Sequence, residues 1–214
     1  MPKLRPDTQR ARREHILDAA ERCFAHAGFH RTTMHDICRE ARVSPGALYI
    51  YFDSKEALIA GIAERDRATF AERLSNMARA TDFLRGLSEL GEQYFVDEPQ
   101  HKQLMCIEIG VESTRNARVG DIYRKVDKFV TDKFIELFQR LKDEGRIAPT
   151  FDIATAVKVF TVLGDGVFWR RAIDPEFDAR AVLPALVTLV GLMLNPVQVP
   201  QSQQRPPQVT PANP

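Results

Sequence analysis

Residues 32–58 read TTMHDICREARVSPGALYIYFDSKEAL, and the polar residues that punctuate this stretch decide its local structure. Thr33 caps a short helix, its hydroxyl placed to accept from the free N–H groups of the opening turn. Ile37, Cys38 and Ala41 then fall on one face at helical spacing. Ala41-Arg42-Val43 makes a turn, with Val43 as the apolar plug between two helices. Ser44 caps the second helix, and Pro45 takes its first position, where the missing N–H costs nothing. Ser54-Lys55-Glu56 starts a third. Two short helices joined by a three-residue turn present the start of a helix to a partner, as helix-turn-helix proteins do in the DNA major groove. Lys55, at a helix N-terminus, suits a phosphate oxygen.

Outward from this stretch the charge is uneven. The 214 residues carry a formal net charge of +1, which alone argues against a nucleic-acid partner. Residues 1–13, however, hold Lys3, Arg5, Arg10, Arg12 and Arg13 against Asp7 alone. Beside the two short helices this reads as a phosphate or minor-groove arm as readily as a solvated tail. The length suits one or two domains with a core that needs no disulfide. Cys23, Cys38 and Cys106 share no CxxC spacing and imply a reducing cytoplasm rather than a disulfide frame or a zinc site. Residues 1–13 are too polar for a secretory signal. The longest apolar run, 181–194, is too short to span a bilayer and contains Pro184. A cytoplasmic protein without a membrane segment is expected.

Apolar periodicity predicts an all-α protein of about nine helices, with no sustained alternation of period two. The first covers about 8–27, ended by Gly28 as a C-terminal cap. After the motif come a long fourth helix from 54 to near 79, a fifth capped by Asp82, a sixth over about 100–113 and a seventh over 117–144 ended by Gly145. Asp152 opens the eighth, and the ninth lies between Asp178 and Leu194. Three regions follow: 1–53, arm and helix-turn-helix; 54–194, a ligand-binding and dimerisation unit; 195–214, a disordered tail with six Pro, five Gln and Arg205 as its only charge. The last two helices are apolar round more than one face and must be buried on most sides. A four-helix homodimer interface, two helices per subunit with two-fold symmetry, meets that need. Leu186 and Val190, four apart, are expected in it.

The chain resembles the TetR (tetracycline-repressor) family of bacterial transcription regulators. The matching words are Ile16-Leu17-Asp18-Ala19-Ala20, Phe24-Ala25, Gly28-Phe29, Thr32-Thr33-Met34, Val43-Ser44-Pro45-Gly46, Leu48-Tyr49, Tyr51-Phe52 and Ser54-Lys55-Glu56-Ala57-Leu58. They cover the first quarter of the chain in order. Two positions depart from the pattern. Cys38 replaces the usual Ala, a small apolar exchange. Arg42 replaces the usual Gly and is asked to adopt a left-handed turn at about 1–2 kcal/mol, with a phosphate contact as compensation. The resemblance implies a homodimer on a double-stranded DNA operator. It also implies that Pro45, Gly46, Ala47 and Tyr49 approach bases and phosphates, with Ser44 beside them. Tyr51, Lys55 and Thr33 would hold the DNA backbone. Residues 44–52 contain no Arg, Asn or Gln to read bases bidentately, so DNA shape is expected to contribute.

The resemblance further implies a ligand cavity in the second unit. Phe70, Met105, Cys106, Ile109, Phe129, Phe134, Phe168 and Trp169 are its candidate lining, with Asp165, Glu108 and Arg170 as polar groups to watch. Few Lys or Arg fall on these apolar faces, so a hydrophobic small-molecule effector is expected. No cofactor and no metal are called for. Glu98-Pro-Gln-His101 is a single ExxH, whereas a di-iron bundle needs two and further carboxylates. His26 and His30 straddle Gly28 at a helix end, and there is no phosphate loop or nucleophile elbow. The reading is a ligand-responsive DNA-binding repressor, not an enzyme. Its rivals are a regulator that needs no effector and a helical enzyme.

Overall fold

A computed structural model describes residues 6–197. Lys3 and Arg5 of the basic arm, and residues 198–214 of the tail, lie outside the described residues. Nine helices and no strand are present among those described: α1 (Pro6–Arg31), α2 (Met34–Glu40), α3 (Pro45–Tyr49), α4 (Lys55–Arg79), α5 (Phe83–Phe95), α6 (Gln100–Glu112), α7 (Ala117–Asp143), α8 (Ile153–Ile173) and α9 (Ala179–Leu194). Most starts follow capping residues read from sequence; Asn116 before α7 was not among them, and α6 begins after Pro99 without a side-chain cap. Ser54, Asp82, Asn116, Asp152 and Asp178 each accept bonds from backbone N–H groups of the turn they open. Gly28 leaves helical geometry at φ 77°, so the last turn of α1 is bent away from the helix before it. A side chain there would also meet Glu108, whose Oε1 is 2.6 Å from the position a Cβ would take.

Two hydrophobic clusters organise the molecule. The first is built by Ile16, Leu17 and Phe24 of α1, Ile37 and Leu48 of the motif, and Leu58, Ile59 and Ile62 of α4. It is completed by Met105 and Ile109 of α6 and by Val119 of α7. The second lies around Phe70, Leu74, Leu87, Phe134, Phe138, Val157 and Val190. Helix α4 belongs to both: its first two turns are core of the motif and its second half is core of the other cluster. Over the 12 residues between Lys55 and Arg67 it rises roughly 18 Å.

Two arginines cap helices remote in sequence. Arg146 donates to the carbonyls of Ala78 (3.2 Å) and Ala80 (2.6 Å) at the end of α4, and Arg171 to those of Val96 (2.7 Å) and Glu98 (2.8 Å) after α5. Each places a cation against carbonyls that the helix itself cannot satisfy. The end of the fold also differs from expectation. Residues 195–197 are part of it: Asn195 takes a left-handed conformation (φ 46°) to close α9, and Pro196 bridges to Ile147. The Val197 N–H donates to the Arg146 carbonyl at 2.8 Å.

Candidate DNA interface and effector cavity

The candidate DNA-contacting residues lie in and beside the helix-turn-helix, several of them held by local bonds. Thr33 and Asp36 form a reciprocal cap: the Thr33 hydroxyl oxygen accepts from Asp36 N–H (3.1 Å) while the Thr33 N–H donates to the Asp36 carboxylate (3.0 Å). The Thr33 hydroxyl also faces that carboxylate at 2.6 Å, and these bonds hold the Asp36 carboxyl below its ordinary value. The spacing T-x-x-D is a capping box with Asp in place of Glu, a signal available in the sequence. Arg42 takes the expected left-handed turn, at φ 51°, with its side chain exposed. Ser44 Oγ accepts from Ala47 N–H at 3.2 Å and sets the angle of α3. Ser44, Pro45, Gly46 and Tyr49 are exposed on α3 while Leu48 is fully buried beneath them. Nothing lies within 4 Å of a Cβ built at Gly46, so that side of the backbone is open to close approach.

Tyr51 is half-buried against the first cluster and contributes an edge rather than a free ring. Lys55 bends back over the Phe29 ring (4.2 Å to the centroid) and donates to the Phe29 carbonyl; burial lowers its pKa. The ammonium has three N–H donors and the carbonyl takes one, so a phosphate could share Lys55 with it. Ile50, not singled out from sequence, is the most exposed large apolar residue among those described, at 80%. Of the described basic-arm residues, Arg10 and Arg12 are exposed on α1, whereas Arg13 is paired with Glu64 at 2.8 Å and packed over Phe52.

The second cluster opens into a cavity of about 360 Å³ between α4, α5, α7, α8 and α9. Its wall is aromatic. Phe70 meets Phe129 and Phe134 edge-on at 6.1 and 5.5 Å, and Phe134 meets Phe160 at 4.6 Å. Asp127, Asp165 and Tyr123 stand among its polar lining residues, and Arg67 projects into it from α4. Desolvation and then the neighbouring Asp127 raise the Asp165 carboxyl. Tyr94, another lining residue, has its hydroxyl pushed up to about 12 by burial.

α6 lies between the two regions, packing on α1 and on α8, which lines the cavity. Glu108 Oε1 accepts from the Phe29 N–H at 3.3 Å. Glu112, almost fully buried, lies 2.8 Å from His30 Nε2 and 3.0 Å from Arg115 Nε. The bent last turn of α1 is thus gripped by two carboxylates of α6.

The N-terminal stretch 16–62 matches the model for "Bacterial regulatory proteins, tetR family". The uncharacterized HTH-type transcriptional regulator YfiR of Bacillus subtilis (strain 168) is 32% identical over 174 residues, 78% of this chain and 82% of YfiR. The chain belongs to the TetR family. It is therefore a helix-turn-helix, DNA-binding transcription regulator. Salmonella enterica GusR superposes with a TM-score of 0.74 at 27% identity, covering 86% of this chain and 96% of GusR. SmeT, solved with triclosan, shares the fold with a TM-score of 0.74 at 23% identity, covering 92% and 98%.

Within this TetR-family fold the candidate lining residues divide. Phe70, Phe129, Phe134, Asp165 and Phe168 line the cavity. Met105 and Ile109 do not: they turn the other way, into the first cluster, and Cys106 packs at its edge with its thiol pushed up to about 12 by burial. Trp169 is half-exposed on the outside of α8. Glu108 serves the α1 turn, and Arg170 is exposed with Asp174 at 3.7 Å. Leu186 and Val190, expected in a subunit interface, line the cavity instead. Arg67, Tyr94 and Asp127 line it and were not singled out from sequence. Arg67 is the single Lys or Arg in that lining among the described residues, in keeping with the expected scarcity of cations there. No group of three or more metal-ligating side chains occurs among the described residues, and none of their helices is long and apolar enough to cross a membrane.

Proposed function

We propose that this TetR-family regulator is a cytoplasmic homodimeric repressor that leaves its operator when a small molecule with a hydrophobic body fills the cavity. The carrying observation is that one helix serves both sites. α4 lends Leu58, Ile59 and Ile62 to the core under the recognition helix, and lends Arg67 and Phe70 to the cavity wall. A ligand that repacks the Phe70 end acts on a rigid rod whose other end carries Lys55. The α6 carboxylates that grip the α1 turn offer a second link. SmeT, of the same fold, holds triclosan.

Dimerisation is supported by a stripe on the outside of α8 and α9. Val159, Val162, Trp169 and Ile173 recur at intervals of three, seven and four along α8, and Leu189 and Leu192 lie on α9, all exposed in the single chain. Gly166 lies in the stripe with open space around it. Such a seam packs helix on helix with its own two-fold copy. A dimer then has two recognition helices, which must sit about 34–36 Å apart to enter successive major grooves. An effector that prefers another spacing lowers DNA affinity, and by linkage DNA lowers effector affinity by the same factor.

The test is selection of bound duplexes from a random pool by the purified protein, followed by titration with hydrophobic compounds that raise its melting temperature. A palindromic site released by at least one stabilising compound is expected. A selected site whose affinity ignores every stabilising compound would make this an effector-independent regulator. Compounds that tighten binding would make it corepressor-dependent.

A further inference from the structure

We infer that the effector carries one carboxylate on its hydrophobic body and that Arg67 binds it. This rests on the reading of the cavity as the effector site. Arg67 lines that cavity, and its Nε is buried with no hydrogen-bond partner among the described residues. The adjacent acid does not serve it: Asp66 is turned to Lys102 at 3.1 Å and Arg65 at 3.7 Å. The guanidinium instead lies over the Phe129 ring, 5.3 Å from the centroid. That contact steadies the charge but satisfies none of its five N–H donors. Buried polar donors in folded proteins are almost always partnered, so an orphan at the wall of an open cavity points to a ligand acceptor.

The other charged lining groups make no such demand. Asp127 and Asp165 are exposed, and although the cavity partly desolvates Asp165, water reaches both where they stand. A carboxylate meets Arg67 best, taking parallel bonds from Nε and one terminal nitrogen once the side chain turns Nε toward the cavity. A larger polyanion would bring extra negative charge into a space shared with Asp127 and Asp165. The remaining lining, dominated by Phe, Leu and Val, calls for an apolar body.

The experiment compares matched sets of naphthyl and medium-chain alkyl probes bearing a carboxylate, a neutral amide or an ammonium group. Affinity is measured by calorimetry at pH 7 for the wild type, Arg67→Met and Arg67→Lys. Carboxylates are expected to bind the wild type at least tenfold tighter than their amides. Arg67→Met should abolish that preference, and Arg67→Lys should retain part of it. The unliganded Arg67→Met protein should melt at the same temperature as wild type or higher, because its incompletely bonded charge is gone. A lower melting temperature would show the guanidinium to be held for packing and overturn the inference. Equal affinity for carboxylates and amides would overturn it while leaving the effector cavity standing. Preference for ammonium probes would transfer the site to Asp127 and Asp165. A carboxylate preference that survives in Arg67→Met would remove Arg67 from the role, and failure of all three sets would remove the effector cavity as well.

Discussion

Arg42 holds a backbone conformation that suits glycine, at φ 51°, on the exposed rim of the helix-turn-helix. The left-handed turn costs a non-glycine residue about 1–2 kcal/mol, which the fold does not recover through any side-chain bond of Arg42 among the described residues. Arg42→Gly is therefore expected to raise the melting temperature by roughly 2–8 °C. It should also weaken operator binding and reduce the slope of log affinity against log salt by about 1 per lost phosphate contact. Unchanged salt dependence would show that Arg42 makes no phosphate contact. Tyr49 tests the neighbouring surface. It is 53% exposed, while Leu48 and Phe52 supply the packing beneath it. Tyr49→Ala should keep the circular dichroism and mass of the wild type and lose at least about tenfold in operator affinity, taking roughly 1 kcal/mol or more per subunit. Wild-type affinity in a gel-shift titration would take Tyr49 off the recognition surface.

At the scale of elements, the join between α4 and α6 runs through Glu98. Its carboxylate takes Arg73 of α4 at 3.0 Å and Lys102 of α6 at 2.8 Å, and Lys102 also reaches Asp66 of α4. Burial pushes the Glu98 carboxyl up, but the hydrogen bonds and charges of Lys102 and Arg73 outweigh it and the net pKa is lowered. A lowered carboxyl pKa contributes stability that is full above the unfolded value, about 4.3 for Glu. That contribution disappears as the pH falls through the lower folded value. Glu98→Gln should therefore melt below wild type at pH 7, with the gap closing as pH is lowered from about 5 towards 3. A gap that stays constant across that range would assign Glu98 a role in packing rather than charge.

For the whole molecule, the outer stripe and the cavity lining make opposite demands on neighbouring residues of one helix. Leu192 of α9 is 70% exposed and Val162 of α8 is 67% exposed, whereas Val190 is buried in the second cluster. Val162→Glu or Leu192→Glu should leave the subunit folded, halve its mass in light scattering and abolish operator binding, since one half-site alone offers too few contacts. Val190→Asp should instead bury an unpaired carboxylate inside the subunit, at several kcal/mol, and lower the melting temperature or cause aggregation. A Val162→Glu protein that remains a dimer would move the interface away from α8.

What the sequence determined by itself was the local grammar of this protein. Thr33, Ser44, Ser54, Asp82, Asp152 and Asp178 announce helix starts, and Gly28, Arg42 and Gly145 mark the bends where φ turns positive. Capping and turn chemistry act within a few residues, so the motif and the helix order can be read from the string. The assignment of apolar helical residues to the first cluster, the cavity or the outer surface was decided only in three dimensions. Met105 and Ile109 went to the first cluster, Leu186 and Val190 to the cavity, and Trp169 to the outer stripe. Each presents the same apolar signal at the same helical spacing, and only the angle at which its helix packs selects the place it takes. The pairing of Arg146 with α4 and of Arg171 with α5 likewise joins residues more than sixty positions apart. So does the isolation of Arg67 among aromatic rings. Charge in a sequence is a property of one residue, but whether that charge has a partner depends on what the fold brings beside it.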